Sequence, residues 1–307
     1  MSGLDVSQYA TSFDFYDETP VETPREKWLG ILDHLSPTSL GMFRRCPRQF
    51  YRRYILGEKE RPGEALVIGS FMHRALEFNY RQKIESWEDK PLSEVIEYLE
   101  DAAVPKVMEE AGGAGEVRWD YETDPTKALD HARSDAVRIT SAYHHTVVPR
   151  IQPALVEEKF EWWPESLPVP IIGYLDTVTV DARIVDTKSG KQVQRKIKPS
   201  WQLQGVTYAN AKVMPIEFHS VSRAKTPSIC TPLESEEMVV YPNPRQAGNL
   251  LRLVHLVLDQ IAFYMSTYGP EVEWPATGRM ADWSQNVLPC QMCGWRSGCP
   301  AWEGEPT

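Results

Sequence analysis

Four of the five cysteines of this chain stand at its two ends: Cys46 near the start, and Cys290, Cys293 and Cys299 close to the finish. The last three form a C-x-x-C-x-x-x-x-x-C run, from Cys290-Gln291-Met292-Cys293 to Gly298-Cys299. Three thiols at this spacing make most of a ligand set for a metal or an iron–sulfur cluster, and they lack one donor. Cys46, in Arg45-Cys46-Pro47, is the candidate fourth. If the four share a site, the two ends of the chain are held together and the residues between them must fold as one closed unit. Cys230 is left over and reads as a lone packed thiol.

A chain of 307 residues has ample length for a core. Residues 1–30 are acidic and contain Pro and Thr, the texture of a loose tail. Residues 31–303 read as a single domain: a mainly helical part (31–152), a sheet with a helix (153–242), and a C-terminal helix with the cysteine trio (243–303). No basic start and apolar centre marks a signal peptide, and no run of about 18 apolar residues marks a membrane span. Few cysteines and no export signal favour a reducing compartment, where clustered thiols bind metal. The net charge of −10 excludes a protein that coats nucleic acid by charge alone. Two basic runs are nevertheless present, and from them Arg44, Arg48, Arg52, Lys191 and Lys196 are candidate phosphate contacts. The competing reading of either run is a solvated face.

Ser36-Pro37 has the form of a helix cap followed by proline in the first turn, with Pro47 interrupting the helix that follows. Ala65 to Lys83 carries Ile68, Phe71, Met72, Ala75 and Leu76 at helical spacing. Leu92 to Glu110 and Lys127 to Val148 read as further helices, separated by a Gly-rich loop at 111–116. Past Pro153 the texture changes. Ala154–Trp163, Val169–Val180 and Arg183–Lys188 read as strands, and Trp201–Val213 and Asn243–Tyr268 as helices. This is a mixed α/β layout. No phosphate-binding G-x-x-x-x-G-K-[ST] motif is present.

The chemistry concentrates in Gly173-Tyr174-Leu175-Asp176 and Ile184-Val185-Asp186-Thr187-Lys188. Alternate residues of a strand share a face, so Asp186 and Lys188 point the same way. Antiparallel pairing with the preceding strand brings Asp176 to them. Two carboxylates are hard oxygen ligands suited to Mg²⁺ or Mn²⁺, while a lysine beside them can serve an attacking water or offset phosphate charge. Taken alone, D-x-K is as well explained by a salt bridge.

Gly173-x-x-Asp176 with Asp186-x-Lys188 resembles the split PD-(D/E)xK signature of RecB-like nucleases. Gly69-x-x-x-His73 is similar to the helix that precedes that signature, and Gln204-x-x-x-Tyr208 to the helix that follows it. Ser36 to Leu40 and Cys46 to Tyr51 look like the opening of the iron–sulfur subset, which includes AddB-type nuclease domains and CRISPR-associated RecB-like exonucleases. The resemblance covers residues 36–302 and implies a restriction-endonuclease-like core, a central mixed sheet flanked by helices. It departs in one position, carrying Asp186 where Glu is commoner. It further implies that Cys46, Cys290, Cys293 and Cys299 hold a structural 4Fe–4S cluster, against the competing reading of a four-cysteine zinc site. Asp176 and Asp186 would bind the divalent ion together with the Thr187 backbone carbonyl and His73. Lys188 would serve the water, and Gln204 and Tyr208 would position the lysine or a phosphate. Without the motif, His73 reads equally well as a packed core histidine. Glu157 and Glu158 are weaker candidates as helpers, since adjacent glutamates on a strand are commonly half exposed.

The activity implied is metal-dependent hydrolysis of DNA, by an exonuclease on single strands or ends, in a bacterial or phage-encoded cytoplasmic setting. The unit would work alone, with a separate helicase, or with recombination or CRISPR partners. The alternative is a non-catalytic DNA-binding or adaptor protein on the same fold; a binder has no need to keep His73, Asp176, Asp186, Lys188 and Gln204 together. Trp162, Trp163, Trp201 and Tyr208 have two readings, stacking on unpaired bases or ordinary packing.

Overall fold

The computed structural model of the protein describes residues 31–276, 290, 293–295 and 299, so the expected tail over 1–30 lies outside the described residues. Ser36 opens helix α1 (Pro37–Arg45) by a reciprocal cap: its hydroxyl accepts from the Ser39 N–H (3.1 Å), and the Ser39 hydroxyl accepts from the Ser36 N–H (2.8 Å). Cys46 is extended (φ −161°, ψ 111°) and breaks the helix, and Pro47 restarts it as α2 (Pro47–Phe50), which runs into a π-type turn at Tyr51–Ile55. Helix α3 (Glu64–Ser86) follows. The long helix expected over 92–110 forms as one unbroken helical run, α4 (Leu92–Tyr98), a π-type turn (Leu99–Ala103) and α5 (Val104–Ala111). Pro105, which has no N–H to donate to the preceding turn, stands just after the π-type turn. After the Gly-rich loop, α6 (Pro125–Thr146) begins at an Asp124 cap.

The sheet then forms from β1 (Pro153–Trp162), β2 (Ile171–Thr179), β3 (Ile184–Gly190), β4 (Ile216–Ser222), β5 (Ile229–Cys230) and β6 (Val239–Val240). Helix α7 (Pro199–Lys212) crosses from β3 to β4, and α8 (Pro244–Tyr268) closes the described helices. Strand order is β1-β2-β3-β4-β5, with β6 also pairing β4. The β3–β4 pair is parallel and the others antiparallel, giving the mixed sheet the sequence implied. Strand β4 is an element that alternation does not reveal, because every residue of it is buried, Glu217, His219, Ser220 and Ser222 included. A strand covered on both faces has no polar side to alternate with.

Helices cover both faces. Ile68, Phe71 and Met72 of α3 and Ile139 and Tyr143 of α6 pack with Val156, Val185 and Val221 of the sheet. On the opposite side Phe43 of α1, Val206 and Tyr208 of α7 and Val254 and Ile261 of α8 pack with Ile171, Leu175, Ile184 and Phe218. Adjacent residues Ile184 and Val185 thus enter different cores, and β3 lies between them. The next residues of that same strand, Asp186 to Lys188, carry the candidate chemistry.

Candidate active site

The β2–β3 ladder pairs Thr177 with Val185 and Val178 with Ile184, then stops. Where the next backbone bonds would form, the Asp176 side chain takes over: its Oδ2 accepts the Thr187 N–H at 3.1 Å. The strands part at this point, and both aspartates sit at the opening. His73, on α3, reaches the same place. Its Nε2–H donates to the Thr187 carbonyl (2.8 Å), which leaves Nδ1 facing Asp176 Oδ2 at 3.3 Å. In that tautomer the ring turns Nδ1 toward the carboxylate, so a proton on either group or a cation must stand between the two. Gly69, one turn before His73, lies where an added methyl would come within 3.5 Å of Ser189 Oγ, consistent with close approach of α3 to β3.

On the other side of the opening, Asp186 is almost fully buried (1% exposed). Its Oδ2 accepts from Lys188 Nζ (3.1 Å) and from Gln204 Nε2 of α7 (2.6 Å). Lys188 Nζ also lies 2.8 Å from Oδ1, yet Oδ1 receives no directed hydrogen bond. A buried carboxylate oxygen left in this state has a free lone pair, which suits a cation. Gln204 therefore holds the carboxylate to which the lysine pairs, rather than the lysine itself. Tyr208, one turn further along α7, is buried, and its hydroxyl accepts the Tyr174 N–H (3.3 Å). Gly173 makes that approach feasible, because a methyl there would sit 2.6 Å from both the Tyr208 and Phe160 rings. The glycine of G-x-x-D is a packing requirement.

The electrostatics follow from burying several charges together. Burial opposes the Lys188 ammonium, but the charges of Asp186 and Asp176 outweigh it and raise the lysine above its ordinary range. Burial raises Asp176, with Asp186 adding to the effect and His73 opposing it. Burial, then Asp186, pushes Tyr208 up to about 12.

Glu157 joins this group, a placement that the E-E pair in the sequence leaves undecided. The β1–β2 register runs through Val156–Thr177 and Glu158–Leu175, which sets Glu157 across from Asp176. Its backbone is left-handed (φ 52°), and its ligand oxygen, one from Asp176 and a nitrogen of His73 all lie within 4.8 Å of one another. Burial, then the Asp176 charge, pushes the Glu157 carboxyl up to about 7. Glu158 is exposed. Among the described residues, the His73–Glu157–Asp176 trio is the one group of three metal-ligating side chains at such spacing.

Behind the opening a buried chain of hydrogen bonds supports Thr187. Its hydroxyl donates to Tyr143 (3.2 Å), Tyr143 donates to His219 Nδ1 (2.6 Å), and His219 Nε2 faces Glu217 Oε2 (3.4 Å). Arg183 ends the chain on Glu217 Oε1 (2.7 Å). His219 is paired with Thr187 in the parallel β3–β4 register, so β4 brings this polar file beneath the site.

The cysteines gather at α2. Cys46 is buried at the break between α1 and α2, and Cys290, Cys293 and Cys299 are partly buried; all are free thiols. The Cys290 carbonyl accepts the Cys293 N–H (3.3 Å), Gly294 N–H donates to Glu60 (2.6 Å), and Arg48 Nη1 lies 3.8 Å from Cys299 Sγ. Burial raises the Cys293 thiol, with Cys46 near enough to add to the effect and Gln49 hydrogen-bonding to it. Four soft donors of this kind suit either an iron–sulfur cluster or zinc.

The candidate phosphate contacts are engaged within the protein. Arg48 bonds to Glu273 (3.1 Å) and the Trp274 carbonyl (2.9 Å), and Arg52 to Glu273 and Glu58 (3.5 Å). Lys191 pairs with Asp120 (2.8 Å) and Lys196 with Glu237 (3.2 Å), while Arg44 is exposed at the end of α1. None of these contacts reaches the carboxylates. No helix among the described residues is long and apolar enough to cross a membrane.

The sequence matches the PD-(D/E)XK nuclease superfamily over residues 34–300. In fold, the chain is similar to a protein from Eubacterium rectale described as a putative exonuclease, at 10% identity and a TM-score of 0.48, covering 86% of this chain and 90% of that one. It is also similar to the structure named SSO0001, at 12% identity and a TM-score of 0.29, covering 75% of this chain and 97% of that one. No curated protein matches it.

Proposed function

The chain belongs to the PD-(D/E)XK nuclease superfamily, and from that premise we propose that it is a metal-dependent deoxyribonuclease, an exonuclease acting on single-stranded DNA or DNA ends. The observation that carries the reading is the meeting of Asp176, Asp186, Lys188 and His73 where β2 and β3 part. The lone pair of His73 facing Asp176, and the unsatisfied Asp186 Oδ1, both fit a hard cation. His73, Asp176, Asp186 and the Thr187 carbonyl would hold Mg²⁺ or Mn²⁺. When bound, such an ion supplies positive charge at the scissile phosphate and makes the attacking water more acidic.

The protein's own groups do the rest. Gln204 and Lys188 fix the Asp186 carboxylate, and the Thr187 N–H fixes that of Asp176. The Lys188 ammonium, held charged by its neighbours, orients the water and offsets charge as it builds on the phosphate. A bond forms from the water oxygen to phosphorus as the opposite phosphorus–oxygen ester bond breaks, in line. Tyr174, exposed two residues before Asp176, stands across from Lys159 in the β1–β2 register. Lys159 pairs with Glu161 (2.9 Å), so the exposed Tyr174 ring is the group next to the site suited to stacking on an unpaired base, which supports the single-stranded preference.

The same reading places the chain in the RecB-like iron–sulfur subset. Cys46, Cys290, Cys293 and Cys299 would carry a 4Fe–4S cluster that fastens the C-terminal segment to α2, a structural role because hydrolysis moves no electron. Visible absorbance with iron and sulfide analysis tests it; a colourless protein with stoichiometric zinc overturns it. A separate helicase or recombination partner would deliver the strand.

The deciding experiment incubates labelled single-stranded DNA with the protein and Mn²⁺, or with chelator. The wild type shortens the DNA only with Mn²⁺, and Asp176→Ala abolishes cleavage while keeping the fold. Binding without cleavage by the wild type makes the protein an adaptor.

A further inference from the structure

Strand β1 contains one residue that breaks its own geometry. Glu157 is left-handed at φ 52° inside a ten-residue strand. A non-glycine side chain is disfavoured in this conformation and persists only where its surroundings hold it there. The departure falls opposite Asp176, between the Val156–Thr177 and Glu158–Leu175 pairs. It delivers the Glu157 carboxylate to within 4.8 Å of the ligand atoms of Asp176 and His73.

What surrounds that carboxylate differs from what surrounds Asp186. Asp186 is met by Lys188 and Gln204, whereas no described residue hydrogen-bonds or ion-pairs with Glu157. The charges nearest to it include two further carboxylates, Asp176 and Glu77, with His73 and Arg81 opposing them. Asp186, whose charge acts on Asp176, is buried, and its Oδ1 receives no directed hydrogen bond although the Lys188 ammonium lies 2.8 Å away. Lys188 compensates Asp186, but Glu157 and Asp176, whose ligand atoms lie within 4.8 Å of each other, repel unless a proton or a cation lies between them.

Resting on the nuclease reading above, we propose that Glu157 is a further ligand of the divalent ion, facing it from β1 across from Asp176. The set becomes one imidazole, three carboxylates and the Thr187 carbonyl. An imidazole with several anionic oxygens favours Mn²⁺ over Mg²⁺, which prefers to keep its waters. The donor is encoded outside the D…D-x-K signature, on the strand that pairs with its first aspartate.

Mn²⁺ titrated calorimetrically into the full-length protein tests this without any cleavage assay, with Asp176→Asn as the site-dead reference. Glu157→Gln should weaken Mn²⁺ at least about tenfold, and Glu158→Gln should bind like the wild type. Glu157→Gly relieves the left-handed strain, so weakened binding by it at an unchanged Tm assigns the loss to the missing carboxylate. Equal affinity in the wild type, Glu157→Gln and Glu157→Gly overturns the inference and leaves the nuclease reading intact. A wild type that binds no more Mn²⁺ than Asp176→Asn overturns both.

Discussion

The opening between β2 and β3 and the cysteine end at α2 are held together by different forces. In the first, buried polar atoms meet in directed bonds: Asp176 to the Thr187 N–H, His73 to the Thr187 carbonyl, Gln204 to Asp186. In the second, shape dominates. Trp274 is fully buried among Phe50, Tyr51 and Tyr264, with ring centroids 5.3 to 6.3 Å away, and Arg48 and Arg52 grip Glu273 over it. Directed bonds fix atoms to fractions of an ångström, which chemistry needs; aromatic packing resists separation and tolerates small shifts. The difference teaches that damage at the two places should be read on different instruments.

The largest effect expected is at the first. Lys188→Ala should lower the cleavage rate of the folded protein by about 10²–10⁴-fold, beyond any loss of stability from leaving buried Asp186 unpaired, and cleavage near the wild-type rate would dissolve the distinction. Cys46→Ser should do the reverse. Tm should fall together with any metal the four cysteines hold, while the rate per folded molecule stays close to normal; a lost rate in a variant that keeps its fold and its metal would make the cysteine end catalytic. Tyr143→Phe probes the boundary, since it supports Thr187 without facing the opening. Removing its hydroxyl leaves Thr187 and His219 without their partner, a cost of about 1–3 kcal/mol in chemical denaturation, with a smaller loss of rate than Lys188→Ala.

The smallest effect concerns the far end of the same file. Burial works to raise Glu217, but its bonds with His219 and Arg183 prevail and hold its carboxyl below the ordinary glutamate range. A carboxyl with a lowered folded value stabilises fully above its unfolded pKa of about 4.3, and that contribution is lost as pH falls through the folded value. Glu217→Gln should therefore flatten the decline of Tm on acidification below about pH 4.5, starting from a lower neutral Tm. An unchanged acid slope would detach Glu217 from the network.

Much of this arrangement is legible along the chain because its spacing is local. Asp186 and Lys188 share a strand face, Gln204 and Tyr208 share a helix face, and Ser36-Pro37 announces its own cap; the structure places each accordingly. What the sequence hides depends on pairing between distant segments. Strand β4 carries buried Glu217 and His219, whose partners Arg183 and Tyr143 lie on other elements, so its polar letters read as surface. Glu157 and Glu158 are chemically identical neighbours. Only the left-handed turn and the register against β2 decide which one meets Asp176. A glutamate pair on the strand before G-x-x-D is the sole hint. The partners of Arg48 and Arg52 lie at Glu273 and Trp274, a link that composition cannot show.

Thr187 serves two side chains of the candidate site with its main chain: the N–H goes to Asp176 and the carbonyl to His73. No change of codon removes either atom except proline, which would delete the N–H. A scan of single substitutions through the gene would therefore score position 187 by its hydroxyl alone and overlook its main contribution. Replacing the amide between Asp186 and Thr187 by an ester, through chemical synthesis or semisynthesis, would delete the N–H and leave every side chain in place. The central connection of this site is open to the chemist and closed to the geneticist.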